Sequence, residues 1–107
     1  MTNDPDRRPW TDLLDNVRET HPDVVSGAMF GMPCAKAGGK AFMGWYDGGV
    51  VFKLDQEPRE RALALAGARL FEPMAGRPMR EWVVVPAEHQ QSWPELAEQA
   101  LGKIRAR

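Results

Sequence analysis

Nucleophilic catalysis in this sequence would need the single cysteine, Cys34, or one of two serines, Ser26 and Ser92, beside one of the two histidines. Cys34 has Lys36 and Lys40 close to it along the chain, and nearby ammonium groups can lower the pKa of a thiol. A nucleophile also needs a base beside it, and the two histidines, His21 and His89, lie far from Cys34 in the sequence. We therefore interpret Cys34 as a small apolar side chain in a loop, and we predict no catalytic residues.

The cysteine and the two histidines would have to converge to hold a metal ion. The sequence contains neither the C-x-x-C nor the H-x-x-x-H spacing that is typical of metal sites. Two carboxylates, Glu72 and Glu81, flank the glycine at position 76 and could form an acid–base pair, but charge pairing with neighbouring arginines accounts for them more simply. The sequence thus predicts a protein that is not an enzyme and that uses no metal and no cofactor.

Binding of nucleic acid is a second kind of chemistry, which needs local positive charge and accessible aromatic rings. Residues 24–54 contain three lysines and one aspartate, a formal charge of +2. Aromatic residues alternate with these lysines, so a single strand could lie on a mildly basic sheet. Nucleic-acid binding is therefore the alternative function, with four candidate residues: Lys36, Lys40, Trp45 and Lys53.

The composition is that of one ordinary globular domain. The chain has 107 residues, of which 43% are hydrophobic and 27% charged, and 14 basic against 15 acidic side chains give a net charge of −1. This balance excludes a strong overall attraction to nucleic acid or anionic lipid. We expect a single domain over residues 1–107, with residues 1–8 as a flexible tail.

The cysteine count and the apolar runs bear on the compartment. A single cysteine cannot form an internal disulfide, which is typical of reducing compartments. No apolar run is long enough to span a membrane, and the first residues lack the apolar core of a signal peptide. We expect a cytoplasmic protein without a membrane partner.

Hydrophobic periodicity and chain breakers predict the elements that must position these residues. Trp10, Leu13, Leu14 and Val17 recur at helical spacing, which predicts a helix over residues 10–20 that ends before Pro22. Farther along, glycine and proline separate short apolar runs, a pattern typical of strands and turns. The predicted strands cover residues 24–30, 40–46, 50–54, 69–73 and 79–85, with a short helix over 58–66.

The last helix shows a capping box, in which Ser92 and Glu95 flank a tryptophan and a proline. The resulting order is one helix, three strands, a helix, two strands and a helix. The simplest way to bury the apolar faces of these elements is an α+β sandwich of two layers. We therefore predict a five-stranded antiparallel sheet with the helices on one face.

Six short motifs follow one another along the chain. They are residues 29–33 (MFGMP), 39–42 (GKAF), 51–54 (VFKL), 71–74 (FEPM), 76–79 (GRPM) and 81–86 (EWVVVP). In order and spacing this series resembles the TfoX N-terminal domain family (TfoX/Sxy) over roughly residues 8–104. The YjbR-like small domains, which share some of the motifs, are the nearest rival.

The resemblance implies a secretion-chaperone-like fold, α-β(3)-α-β(2)-α, and a bacterial cytoplasmic protein related to regulators of competence. Such domains are usually linked to a second, helix-hairpin-helix domain, which these 107 residues do not include, so the resemblance alone does not imply a role in competence. The family is not known for enzymes. We therefore expect an interaction or regulatory module that binds another protein through a sheet edge or the methionine-rich loop, with a homodimer as one form of this binding. The four candidate contact residues are Met32, Lys40, Lys53 and Arg77.

The methionines give a further expectation about burial. Flexible thioethers fill irregular gaps in a core and also suit adaptable contact surfaces. We predict that Met29, Met74 and Met79 are mostly buried and that Met32 is the methionine that meets a partner. Phe42, Phe52 and Trp82 are the expected large core residues, and glycines at positions 31, 48 and 76 are expected to form turns.

Overall fold

A computed structural model describes residues 7–74 and 76–106, and for residues 74 and 77 the backbone alone. The predicted tail, residues 1–8, lies outside the described residues except for Arg7 and Arg8, and Arg8 begins the first helix. The helices are α1 (Arg8–Thr20), α2 (Gln56–Leu63) and α3 (Trp93–Arg105), with a 3-10 helix at Ala87–Ser92. The strands are β1 (Val25–Met29), β2 (Met32–Ala37), β3 (Lys40–Tyr46), β4 (Gly49–Lys53), β5 (Arg69–Met74) and β6 (Arg77–Pro86).

All the strands join one antiparallel sheet in the order β1-β2-β3-β4-β6-β5. This confirms the α+β class and the antiparallel sheet. Along the described chain, no helix is long and apolar enough to cross a membrane.

The predicted number of strands is wrong, because the described part of the chain forms six strands and not five. The additional strand is β2, so the element order begins with a helix and four strands. Pro33 and the glycines around it made this segment look like a turn and a loop. Pairing of β2 with β3 begins only at Cys34, so Pro33 interrupts no pair of that ladder.

Two-residue turns connect the first four strands. Their residues all have positive φ angles, between 50° and 80°, as in the tight turns that match the twist of a hairpin. The turns predicted at Gly31, Gly48 and Gly76 are confirmed, and all three glycines have positive φ angles. The turn that connects β1 and β2 is formed by Phe30 and Gly31.

The main core lies between the helices and one face of the sheet. Every buried side chain of α1, α2 and α3 belongs to this cluster, which confirms that the helices cover one face. Trp10, Leu13 and Val17 of the predicted stripe are buried there, and Leu14 packs against the cluster partly buried. Phe42 and Phe52 are buried in the same cluster. The largest buried members contributed by the two long helices are Trp10, Leu13, Val17, Trp93, Leu96 and Leu101.

The face without helices carries a second core. Its buried members are Met32, Val51, Phe71, Trp82 and Val84, so Trp82 is buried as predicted but on this side. Since no helix of the described chain contributes a buried residue to this cluster, the strands themselves must shield it.

The sheet shields this second core by curling. Strands β3 and β5 are three strand spacings apart, which is about 14 Å in a flat sheet. The rings of Tyr46 on β3 and Phe71 on β5 are nevertheless only 5.0 Å apart between centroids, in an edge-to-face contact. The register between β5 and β6 shifts on both sides of Phe71, and such bulges bend a strand and increase its twist. The curl brings β5 over the face that has no helices.

The predicted capping box is absent at the start of α3. Ser92 has helical dihedral angles (φ −87°, ψ −12°) and its side chain makes no capping hydrogen bond. A capping hydroxyl needs an extended backbone at its own residue, and the 3-10 helix that leads directly into α3 prevents this. Helix α2 also differs from the prediction, because it begins at Gln56 and ends at Leu63.

Candidate functional site

Phe30 is the most exposed large apolar side chain in the described part of the chain. Its side chain is 61% exposed at the tip of the β1–β2 hairpin. Its φ angle of 50° lies in the left-handed region, which a bulky residue seldom adopts. Phenylalanine thus stands where neither burial nor backbone preference favours it.

Residues held in such unfavourable conformations cluster at functional sites. The sequence motifs did not identify Phe30 as a site residue, although a turn was predicted at Gly31 beside it. The signal that could have found it is a large aromatic residue before glycine, in a two-residue turn where Asn or Asp usually stands.

An apolar cleft lies beside Phe30, between the β1–β2 turn and β5. Its volume is about 450 Å³, within the range of small binding sites. The ring of Phe30 meets that of Phe71 edge to face, with centroids 6.0 Å apart, at the point where the curl of the sheet brings these segments together. The cleft is lined by Phe30, Gly31, Met32, Tyr46, Phe71 and Pro73.

Met32 has a different position from the one predicted. Its side chain is only 8% exposed and packs in the second core, so the exposed residue of this turn is Phe30 and not Met32. Met29 and Met79 pack against the same core and are partly buried, which agrees only in part with the predicted burial. The side chain of Met74 lies outside the described residues.

Strand β1 forms one edge of the sheet and has no charged side chain. Four of its five residues are exposed, and Val25 is exposed by 51%. An edge strand offers unpaired backbone N–H and C=O groups, and proteins usually protect such edges with charges or prolines. The residues of β1 itself include neither, so its backbone groups are open to pairing with another strand.

An ion pair holds the chain just before β1. The guanidinium of Arg105, in the last turn of α3, donates to Asp23 at 2.6 Å. This hydrogen bond lowers the pKa of Asp23 below its usual range. The C-terminal helix thus holds the segment from which the exposed edge begins.

This ion pair should weaken in acid. Because the pKa of Asp23 is lowered by folding, its stabilising effect is complete above the ordinary aspartate pKa of about 4 and is lost as the pH falls through the lowered value. The unfolding free energies of the wild type and of Asp23→Asn, measured in urea, should differ most near neutral pH and converge as the pH falls below the lowered pKa of Asp23. A difference that stays constant with pH would contradict this role of Asp23.

The predicted lysines Lys40 and Lys53 do come together. They line a groove of about 550 Å³ with Lys103 and two carboxylates, Asp55 and Glu81. The ammonium of Lys103 lies 2.6 Å from Asp55, and the ammonium groups of Lys103 and Lys53 both lie 3.9 Å from Glu81. The groove therefore has mixed charge and is not a basic patch. The side chain of Arg77 lies outside the described residues.

The four residues of the nucleic-acid alternative do not form one surface. Trp45 is 6% exposed and packs in the main core, so a base has no access to its ring. Lys36 does not line the groove that contains Lys40 and Lys53. Single-strand binding depends on bases that stack on aromatic rings, and these candidates offer no accessible ring.

Cys34 is fully buried in strand β2, and not in a loop as predicted. Burial raises the pKa of its thiol, and the charge of Lys36 offsets only part of that rise. The two histidines make contacts of their own: His21 lies 2.9 Å from a carboxylate oxygen of Glu98, and His89 lies 2.8 Å from a backbone carbonyl oxygen. Across residues 7–74 and 76–106, no three metal-binding side chains come together.

Cys34 should react slowly in the folded chain. The thiolate is the reactive form, and both the raised pKa and the burial withhold it from reagents. We expect alkylation by iodoacetamide at neutral pH to be at least about tenfold slower than in the same chain unfolded in urea. Equal rates in the two states would show that this thiol is accessible.

The resemblance to the TfoX N-terminal family stays a prediction from the sequence motifs. In comparisons with protein-family models, curated proteins and solved structures, none matches this chain.

Proposed function

We propose that this chain is a non-enzymatic interaction module of the TfoX N-terminal type, which binds another protein through Phe30 and the edge of β1. The observation that carries the proposal is Phe30 itself, an aromatic residue that is exposed and held at positive φ. Large aromatic residues are enriched at the centres of protein interfaces, where a partner covers them. Burial of Phe30 by a partner would explain why an aromatic residue occupies this position of the turn.

Two neighbouring features support the same surface. The apolar cleft beside Phe30 can receive a side chain of the partner, and the exposed backbone of β1 can receive a strand. Both adjoin Phe30, so a partner can use all three at once. The lone buried cysteine agrees with a cytoplasmic protein, and a regulatory role in a bacterial cell is part of the proposal.

The test compares three forms of the chain as baits in a bacterial lysate. They are the wild type, Phe30→Asn, and Leu63→Asn as a matched control, because Leu63 is an exposed apolar residue on α2. A protein captured by the wild type should be identified and purified, and its affinity for each form measured by calorimetry. A native mass measurement of each bait reports whether it binds its own kind.

The proposal expects binding to the wild type and to Leu63→Asn, and a loss of at least about tenfold for Phe30→Asn. Binding that is equal for all three forms contradicts the proposed surface. A strictly monomeric wild type that captures nothing contradicts the proposed function.

A further inference from the structure

We infer that β1 receives an extended, acidic segment of the partner, in which an apolar residue contacts Phe30 and a carboxylate two residues later pairs with Lys36. This inference rests on the proposed function. It adds the chemistry of the partner, which follows from the register of β1 and β2 and from the position of one lysine.

The register places the relevant side chains on one face. Gly27 lies opposite Cys34, and Met29 lies opposite Met32. Because side chains alternate along a strand, Lys36 shares the face of Cys34 and Met32. Met32 belongs to the second core, so this is the face without helices, on which Phe30 also contacts Phe71.

Lys36 leans over the edge strand. A Cβ atom at Gly27 would lie 3.1 Å from Cε and 3.3 Å from Cδ of Lys36, so the lysine stem crosses the space that a side chain would fill. Its ammonium makes no ion pair or hydrogen bond with the residues that the structure describes. Lys36 is also the single charged residue in the sequence between Asp23 and Lys40. The exposed edge therefore carries one uncompensated positive charge.

An added antiparallel strand would place its side chains in a fixed order. Its residue opposite Met29 precedes, by two positions, its residue opposite Gly27, and both face the side without helices. The first of these lies beside Met29, next to Phe30 at the tip of the hairpin, while the second meets the Lys36 stem. The complementary segment thus has an apolar residue, any residue, and then Asp or Glu.

A second copy of this chain fits the edge less well. Two β1 strands paired antiparallel about Gly27 would bring two Lys36 side chains to the symmetry axis. Like charges placed together at an interface oppose binding, and residues Val25–Met29 contain no carboxylate to balance them. The charge at this edge therefore favours an acidic partner over a homodimer.

The experiment selects linear peptides of about ten residues, the upper length of an ordinary strand, from a displayed library on the full chain. We expect enrichment of sequences with an apolar residue two positions before Asp or Glu. A synthetic peptide of this kind should bind Lys36→Glu about tenfold more weakly than the wild type, and replacing its acid with Lys should restore binding to that variant. Lys40→Glu is the matched control and should bind the acidic peptide like the wild type.

The outcomes separate this inference from the proposed function. Enriched peptides without the acid, no enriched peptide, or binding that ignores the charge at position 36 would each overturn the inference. Self-association that is lost on mutation of β1 would instead identify a second copy as the occupant, and would also overturn it. The proposed function is judged apart from these results, by the effect of Phe30→Asn on the captured protein.

Discussion

Replacing Phe30 with Asn is expected to abolish most partner binding while changing the free energy of unfolding little. The binding surface loses its most exposed aromatic ring. The turn, in contrast, gains the Asn-Gly pair that two-residue hairpins with two positive φ angles favour most. Phe30 contributes to binding but has an unfavourable backbone conformation, so its replacement should weaken binding without a matching loss of stability.

Two opposing terms set the change in stability that Phe30→Asn causes. A bulky residue in the left-handed region costs about 1–2 kcal/mol, and Asn avoids much of that cost. The edge-to-face contact with Phe71, which the variant loses, contributes about 0.5–1.5 kcal/mol. The two terms nearly cancel, so urea unfolding should give a free energy within about 1 kcal/mol of the wild type.

Phe30→Ala is the control for the backbone term. It removes the same ring contact but keeps a residue that is not favoured at positive φ. We therefore expect Phe30→Ala to be less stable than Phe30→Asn. If Asn proved the less stable of the two, the backbone at position 30 would not be under strain, and the main argument for a functional Phe30 would fail.

Much of the fold could be predicted because it depends on local signals. Residues close together in the sequence are enough to predict the apolar stripe of α1 and the Asp47-Gly48 turn. Strand β2 could not be predicted in this way, since Pro33 and the neighbouring Phe30-Gly31 turn are typical of a loop and not of a strand. Its formation depends on having β1 on one side and β3 on the other.

The candidate site depended even more on contacts between distant segments. The motifs named Lys40 and Lys53 only as candidate contact residues. The structure places both in one groove, and the carboxylates that offset its charge come from Asp55 and from Glu81 on β6. The burial of Met32 likewise follows from the curl that brings β5 over the sheet. No spacing along the chain reports a curl, so these features required the structure.

Phe71→Ala is expected to destabilise the chain by about 3–5 kcal/mol, the largest effect among these variants. Its ring is 1% exposed and contacts both Tyr46 and Phe30. It therefore joins the edge strand β5 to β3 and to the β1–β2 turn. Truncation removes the transfer free energy of the ring and leaves a cavity in the second core, which has few other members to fill it.

Phe71→Leu is the matched control, because it keeps most of the apolar volume without the edge-to-face contacts. It should cost roughly 1–1.5 kcal/mol in urea unfolding, well below the cost of Phe71→Ala. Hydrogen exchange of the β5 amides should quicken in Phe71→Ala, because β5 is an edge strand that pairs with β6 alone and loses its contacts with Tyr46 and Phe30. If Phe71→Ala unfolded with the stability of the wild type, this ring would not be what holds the curl of the sheet, and the second core would depend on Trp82 and the valines of β4 and β6 instead.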